Sequence, residues 1–149
     1  APESELIVWP LGFAITTFLT LLASTSLSLM LTADVKTENE GTGILPLVMI
    51  PQVKFSGVLF TLEGWSGKLS WLMLSRWSIG AYGSLADVNA MAPSPNPALS
   101  QEVLNEIFQA TPVYDATWEN LALNWGVLVA HTLIYSVIAL IVQRRKDIF

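Results

Sequence analysis

Long stretches without a charged side chain alternate with short polar breaks along this chain. Residues 6–33 form 28 consecutive positions with no Asp, Glu, Lys or Arg. As a helix that stretch is about 42 Å long at roughly 1.5 Å per residue, more than the roughly 30 Å of a bilayer's hydrocarbon core. The surplus can tilt, kink at Pro10 or extend into the headgroups. A second apolar stretch, 43–62, has 20 residues interrupted by Pro46, Pro51, Gln52 and Lys54. A third, 121–142, has 22 residues and no formal charge apart from a titratable His131. Runs of about 18 or more such residues read as membrane spans rather than as core helices.

The segment between the second and third stretches carries weaker signals. Leu69 to Leu74 is apolar, and 76–86 reads as a small-residue helix containing Gly80, Ala81 and Gly83. Neither can cross a bilayer, so the pair predicts an element that dips in and leaves on the same side. Pro93, Pro95 and Pro97 then exclude helix and predict an exposed extended loop. Ser100 is placed to cap a short helix over 101–109, and Asp115 or Thr117 to cap the last span. The expected fold is an all-α membrane protein with three transmembrane helices and an external re-entrant helical segment in 63–120.

Composition agrees with this pattern. Hydrophobic residues make up 52% of the chain and charged residues 13%, against about 25% charged in soluble domains. The net charge is -5, and no Lys/Arg cluster precedes residue 144, which excludes a basic nucleic-acid binder. The chain has 0 Cys and 1 His. That removes a disulfide framework, a thiolate zinc site, a nucleophilic Cys and any two-His metal motif. Glu3 and Glu5 stand where a signal peptide needs positive charge. The start at Ala1 reads as a piece cut from a longer protein.

Lys and Arg set the expected orientation. The tail 143–149 contains Arg144, Arg145 and Lys146, and the short loop 34–42 adds Lys36, whereas 63–120 has only Lys68 and Arg76. The tail and short loop therefore belong in the cytoplasm, and the first span starts outside. Trp9, Trp65, Trp71, Trp77, Trp118 and Trp125 all fall at the outer ends of spans or in the outer segment. Headgroup depth suits indole, with at least two of them expected to pack inside that segment.

Few residues offer chemistry. Gly64–Leu69 glances at a phosphate loop but has Leu62 and Leu69 where Gly and Ser or Thr are required, so no ATP site is expected here. Lys54 falls about 16 Å into the second span. A central Lys costs at least roughly 2.5–3.5 kcal/mol on insertion scales. It either lines a watery cavity and touches substrate, or pairs with a buried polar group or snorkels outward. His131 lacks the Asp or Glu partners of a proton relay and reads as a neutral interhelical side chain. Gly126/Ala130 and Ser24/Ser28 have the small-xxx-small spacing of close helix contacts. No catalytic residue and no metal site is expected.

The stretch Pro51-Gln52-Val53-Lys54-Phe55-Ser56-Gly57-Val58-Leu59-Phe60 resembles the fifth transmembrane helix of the G (White) subfamily of ATP-binding-cassette exporters. There a Phe-Ser-Gly triplet precedes an apolar pair. Leu69-Ser70-Trp71-Leu72 followed by Ser75-Arg76-Trp77-Ser78-Ile79-Gly80-Ala81 resembles that family's re-entrant segment. Asp87-Val88-Asn89 sits at a short acidic, Asn-containing motif, so Arg76, Trp77, Asp87 and Asn89 map onto the re-entrant region. Ala23-Ser24-Thr25-Ser26-Leu27-Ser28 is similar to its hydroxyl-rich fourth helix, and Gln143–Asp147 to its basic end.

The resemblance covers about 6–149. It implies the last three of six helices of a half-transporter, working as a homodimer or heterodimer in the inner membrane. It also implies an upstream ATPase domain that binds ATP and Mg, with none bound by this chain. Met49, Ile50, Val53 and Lys54 would line the substrate cavity, and Val58 and Leu59 would form an apolar plug. The implied activity is export of a lipid-like or amphipathic substrate by alternating access. A non-transporting membrane anchor or assembly subunit is the alternative. Three departures stand out: the chain lacks the external cysteines of the animal members, Lys54 replaces an apolar residue, and Ser75 replaces the Pro that often precedes the Arg.

The absence of Cys makes the expected topology directly measurable. Asn96→Cys should react with a membrane-impermeant maleimide on intact cells, and Gln143→Cys only after permeabilisation. The reverse pattern overturns the orientation.

Overall fold

A computed structural model describes residues 7–56, 64–92, 98, 100, 103 and 110–146. These are helical or irregular, with no strand among them. The α-helices are α1 (Trp9–Asp34), α2 (Glu38–Lys54), α3 (Gly64–Ser70), α4 (Leu74–Leu85) and α5 (Trp118–Lys146), with 3-10 turns at Val88–Met91 and Pro112–Tyr114. Two helices, α1 and α5, are long and apolar enough to cross a membrane.

Local chemistry sets the helix ends. Pro10 occupies the first turn of α1, where the missing N–H is no loss, and the Leu11 and Gly12 N–H groups donate to the Val8 carbonyl. Thr37 caps α2 by accepting from the Glu40 N–H, while Glu40 accepts from the Lys36 N–H. This is a near-relative of the capping box. Thr117 rather than Asp115 caps α5, accepting from the Asn120 N–H at 3.2 Å. Glu119 in the first turn of α5 and Arg144, Arg145 and Lys146 in its last complement the helix dipole. The helix therefore runs past both ends of the apolar stretch 121–142. Ser100 accepts from the Val103 N–H at 3.4 Å; the rest of the expected helix 101–109 lies outside the described residues, as does 93–97.

α1 and α5 pack side by side in the same direction. Trp125 Nε1 donates to Thr16 Oγ1, Ser136 Oγ to Ser26 Oγ, and Lys146 Nζ to the Val35 carbonyl. Both helices thus advance together from one end to the other. The basic end of α5 meets the α1–α2 connection, so the tail and the short loop share one end of the molecule.

α4 is the wedge between them, with eight of its twelve residues buried. Its first turn meets the middle of the long helices, where Leu74 and Trp77 pack with Ala23 and Leu128. Its last turn reaches their start, where Ala81 and Leu85 pack with Leu121, Ile7, Phe13 and Trp125. The small residues allow this close fit. A Cβ on Gly12 would lie 2.6 Å from Leu85, one on Gly80 2.6 Å from Asn124, and one on Gly83 would run into the Tyr114 ring. The glycine of the expected Gly126/Ala130 pair has open space around it instead, and Ala130, Ser24 and Ser28 are likewise exposed. Neither spacing packs α1 against α5.

The glycine contacts predict a graded response. Gly83→Ala should lower unfolding stability by about 1–3 kcal/mol through overpacking. Gly126→Ala should be neutral or stabilising by up to about 1 kcal/mol, since Ala is the better helix former. Circular dichroism during denaturation in detergent distinguishes the two; equal effects would contradict the packing.

Candidate functional site

Hydroxyl groups join α1 to its neighbours. Thr16, Thr20 and Ser26 each donate to the carbonyl four residues back, on Gly12, Thr16 and Leu22. Each hydroxyl has one hydrogen, so its oxygen is left to accept across the interface. Thr16 accepts from Trp125, Ser26 from Ser136, and Thr20 pairs with Ser78 Oγ at 2.8 Å. Thr17 Oγ1 and Tyr82 OH add a further pair at 2.7 Å.

At the C-terminal end of α4 an amide network fastens the loop. Asn89 Nδ2 donates to the Thr111 carbonyl and to Asp115 Oδ1, and the Thr111 N–H donates back to Asn89 Oδ1. Asn120 Nδ2 lies within bonding distance of Ser84 Oγ and the carbonyls of Val113 and Asp115. Asn124 Nδ2 donates to the Asn120 carbonyl. Tyr114 is buried under Gly83, and burial pushes its phenol up from the usual tyrosine range. Asp87 takes the left-handed conformation, φ 49°, an αL position that Asp tolerates better than most residues. The mapped Asp87 and Asn89 therefore shape and hold the loop; Asn89 is occupied by protein partners.

The N-terminal end of α4 differs. The Ser75 N–H donates to Gln52 Oε1 at 3.0 Å, and Ser75 Oγ to the Gln52 carbonyl. Gln52 thereby caps α4 from α2, a role that sequence spacing did not reveal because the partner is 23 residues away. Next to this junction Arg76 lies against two indoles, its Cζ 4.5 Å from the Trp77 ring centre and 5.5 Å from that of Trp71. Trp77 Nε1 donates to the Trp71 carbonyl, and the two rings meet edge to face at 4.7 Å. Trp77 is 2% exposed and Trp71 is 51% exposed. Arg76 Nε and Nη1 are sealed from solvent and have no acceptor among the described residues. His131 Nδ1 shares that condition, with its ring stacked on Tyr135.

The other expected site residues are not gathered into an enclosed chamber. Met49, Ile50 and Val53 are exposed on α2. Lys54, also exposed, is the last residue of that 17-residue helix, because α2 begins at Glu38 rather than at residue 43. Val58 and Leu59 lie outside the described residues. An apolar cleft of about 370 Å³ opens instead between the end of α1 and the start of α2, bordered by Leu31, Val35 and Ile44 among others. Among the described residues no group of three His, Cys, Asp or Glu side chains could hold a metal ion.

No family model, curated protein or solved structure matches the chain. The geometry is therefore what a functional reading rests on.

The amide network predicts that Asn120→Leu, which strands Ser84 and two carbonyls, lowers stability by about 1–3 kcal/mol. It should also speed protease cleavage between Met91 and Tyr114. Unchanged cleavage with lowered stability would show that Asn120 does not hold the loop.

Proposed function

We propose that this chain is the membrane-spanning permease part of an ATP-driven ABC exporter that moves a lipid-like or amphipathic substrate by alternating access. One observation carries the multi-pass part of the reading: α1 and α5 run parallel. Two parallel crossings require the chain between them to return across the bilayer an odd number of times. α2 starts at the basic end and is capped there by Thr37. Its other end meets α4 at Gln52, and α4 continues toward the start of α1 and α5. We read the return path that begins with α2 as the third span and α4 as the re-entrant element beside it. Such a helix at mid-depth is tolerated where protein surrounds it, as α1 and α5 surround α4.

Apolar exposure supports a lipid setting. Only 17% of the most apolar window of α1 and 11% of that of α5 are buried within the chain, whereas a core helix of a soluble domain is mostly buried. Many outward residues on these helices are large: Phe18, Leu21, Leu29, Leu133, Ile134 and Leu140. α2 has no buried residue, which leaves Met49, Ile50 and Val53 free to line a cavity shared with a second half-transporter. The ATPase domain that would bind ATP and Mg belongs upstream of Ala1. The alternative is that the chain is itself a non-transporting membrane anchor or assembly subunit, for which an α2 with no fully buried residue would be a packing face.

The full-length protein, reconstituted in proteoliposomes, tests the choice. Lipid- or drug-stimulated ATP hydrolysis and export are expected, with altered rate or selectivity in Lys54→Met. ATP hydrolysis that never responds to such compounds would favour the anchor. An upstream reading frame with neither Gly-x-x-x-x-Gly-Lys-Ser/Thr nor an ABC signature would remove the exporter reading.

A further inference from the structure

The α2–α4 junction is the one place among the described residues where a guanidinium has sealed nitrogens and no acceptor. It lies far from both ends of the long helices. α4's first turn packs at Ala23, the fifteenth residue of α1, and at Leu128, the eleventh of α5. In the membrane reading proposed above, on which this inference rests, that level is well inside the hydrocarbon. Intramembrane cations are rare there and mark sites where a counter-charge is met. Two indoles offset part of the charge through their π faces, but they accept no N–H in the plane of the guanidinium. The polar groups nearest along the chain are already engaged: Ser75 bonds to Gln52, and Trp77 to the Trp71 carbonyl. Arg76 is the third residue of α4, one position after Ser75, whose N–H is already capped by Gln52 Oε1.

We propose that Arg76, bracketed by Trp71 and Trp77, is a binding site for the phosphate headgroup of an anionic lipid. The guanidinium would donate charge-assisted hydrogen bonds to the phosphate oxygens. Trp71, exposed and in the turn between α3 and α4, would move aside to admit the headgroup and lie along the acyl chains. This gives the cargo of the proposed exporter a charge: anionic rather than zwitterionic.

The protein in detergent is offered phosphatidylglycerol or phosphatidylcholine with the same acyl chains, and bound lipid is counted by native mass spectrometry. Wild type should prefer phosphatidylglycerol by about tenfold, because both lipids offer a phosphate but phosphatidylcholine also brings a choline cation that repels the guanidinium. Arg76→Gln should bring the two lipids level while its helicity stays unchanged, and millimolar inorganic phosphate should not compete. Equal retention by wild type, or a preference that survives Arg76→Gln and so belongs to the Arg144–Lys146 end, overturns the site. Competition by inorganic phosphate overturns the lipid assignment in favour of a free anion. If Arg76→Gln does not fold, quenching by chain-brominated lipids decides. Brominated phosphatidylglycerol should quench wild-type tryptophan emission more than brominated phosphatidylcholine, and Trp71→Phe should remove most of the difference. An unchanged difference overturns the proposal. None of these measurements uses ATP or flux, so the exporter reading and the lipid site can fail separately.

Discussion

Hydroxyl groups that return their hydrogen to their own helix and accept from the next one hold this molecule together. In hydrocarbon, apolar side chains gain little by leaving lipid for protein, so helix association rests on close packing and on interhelical hydrogen bonds. Thr16, Thr20 and Ser26 each satisfy a backbone carbonyl of α1 and offer an oxygen to Trp125, Ser78 or Ser136. The bonds of Thr16 to Trp125 and of Ser26 to Ser136 set the register of α1 against α5, in which the two helices run parallel, and Thr20 ties α1 to α4.

α4 depends on the same combination of small size and polarity. A helix of twelve residues cannot stand alone. It persists because Gly80 and Gly83 let Asn124 and Tyr114 press onto its backbone, and because Ser78 and Ser84 find partners on both neighbours. The polar content that makes α4 look unlike a span is what lets it sit between two of them. Its two ends then differ in kind. The C-terminal end is a closed set of amide and hydroxyl bonds around Asn89 and Asn120. The N-terminal end holds a cation whose charge is only partly answered by indole faces. Both ends are held by hydrogen bonds, Asn120 to Ser84 at one and Gln52 to Ser75 at the other, and the second also carries a guanidinium with no acceptor among the described residues.

The uncovered surfaces complete the picture. α2 buries nothing within the chain, and the outward Gly126 and Ala130 meet no neighbour. Both features leave surface that no described residue of the chain covers. The apolar exteriors of α1 and α5 fit helices that cross a membrane. Bulky residues face outward on all three helices, Leu47 and Ile50 on α2 as well as Phe18 on α1 and Leu133 on α5, with Gly126 and Ala130 as a small-residue patch on α5.

Sequence by itself determined the all-helical class, the two long apolar helices, the choice of Asp115 or Thr117 as the last helix's cap, and the short helix after Leu74. Each of these follows from hydropathy over a window or from the side chain at one position, which are local quantities. Tertiary structure alone decided the parallel register of α1 and α5, Gln52 as the cap of α4, the burial of Trp77 at mid-helix and the isolation of Arg76. Those depend on which residues meet across separations of 23 to more than 100 positions, and no window of sequence contains both partners. The small-xxx-small spacing shows the same limit: it identifies a face that permits close approach, while only the packed chain shows that α1 and α5 use other residues to make theirs.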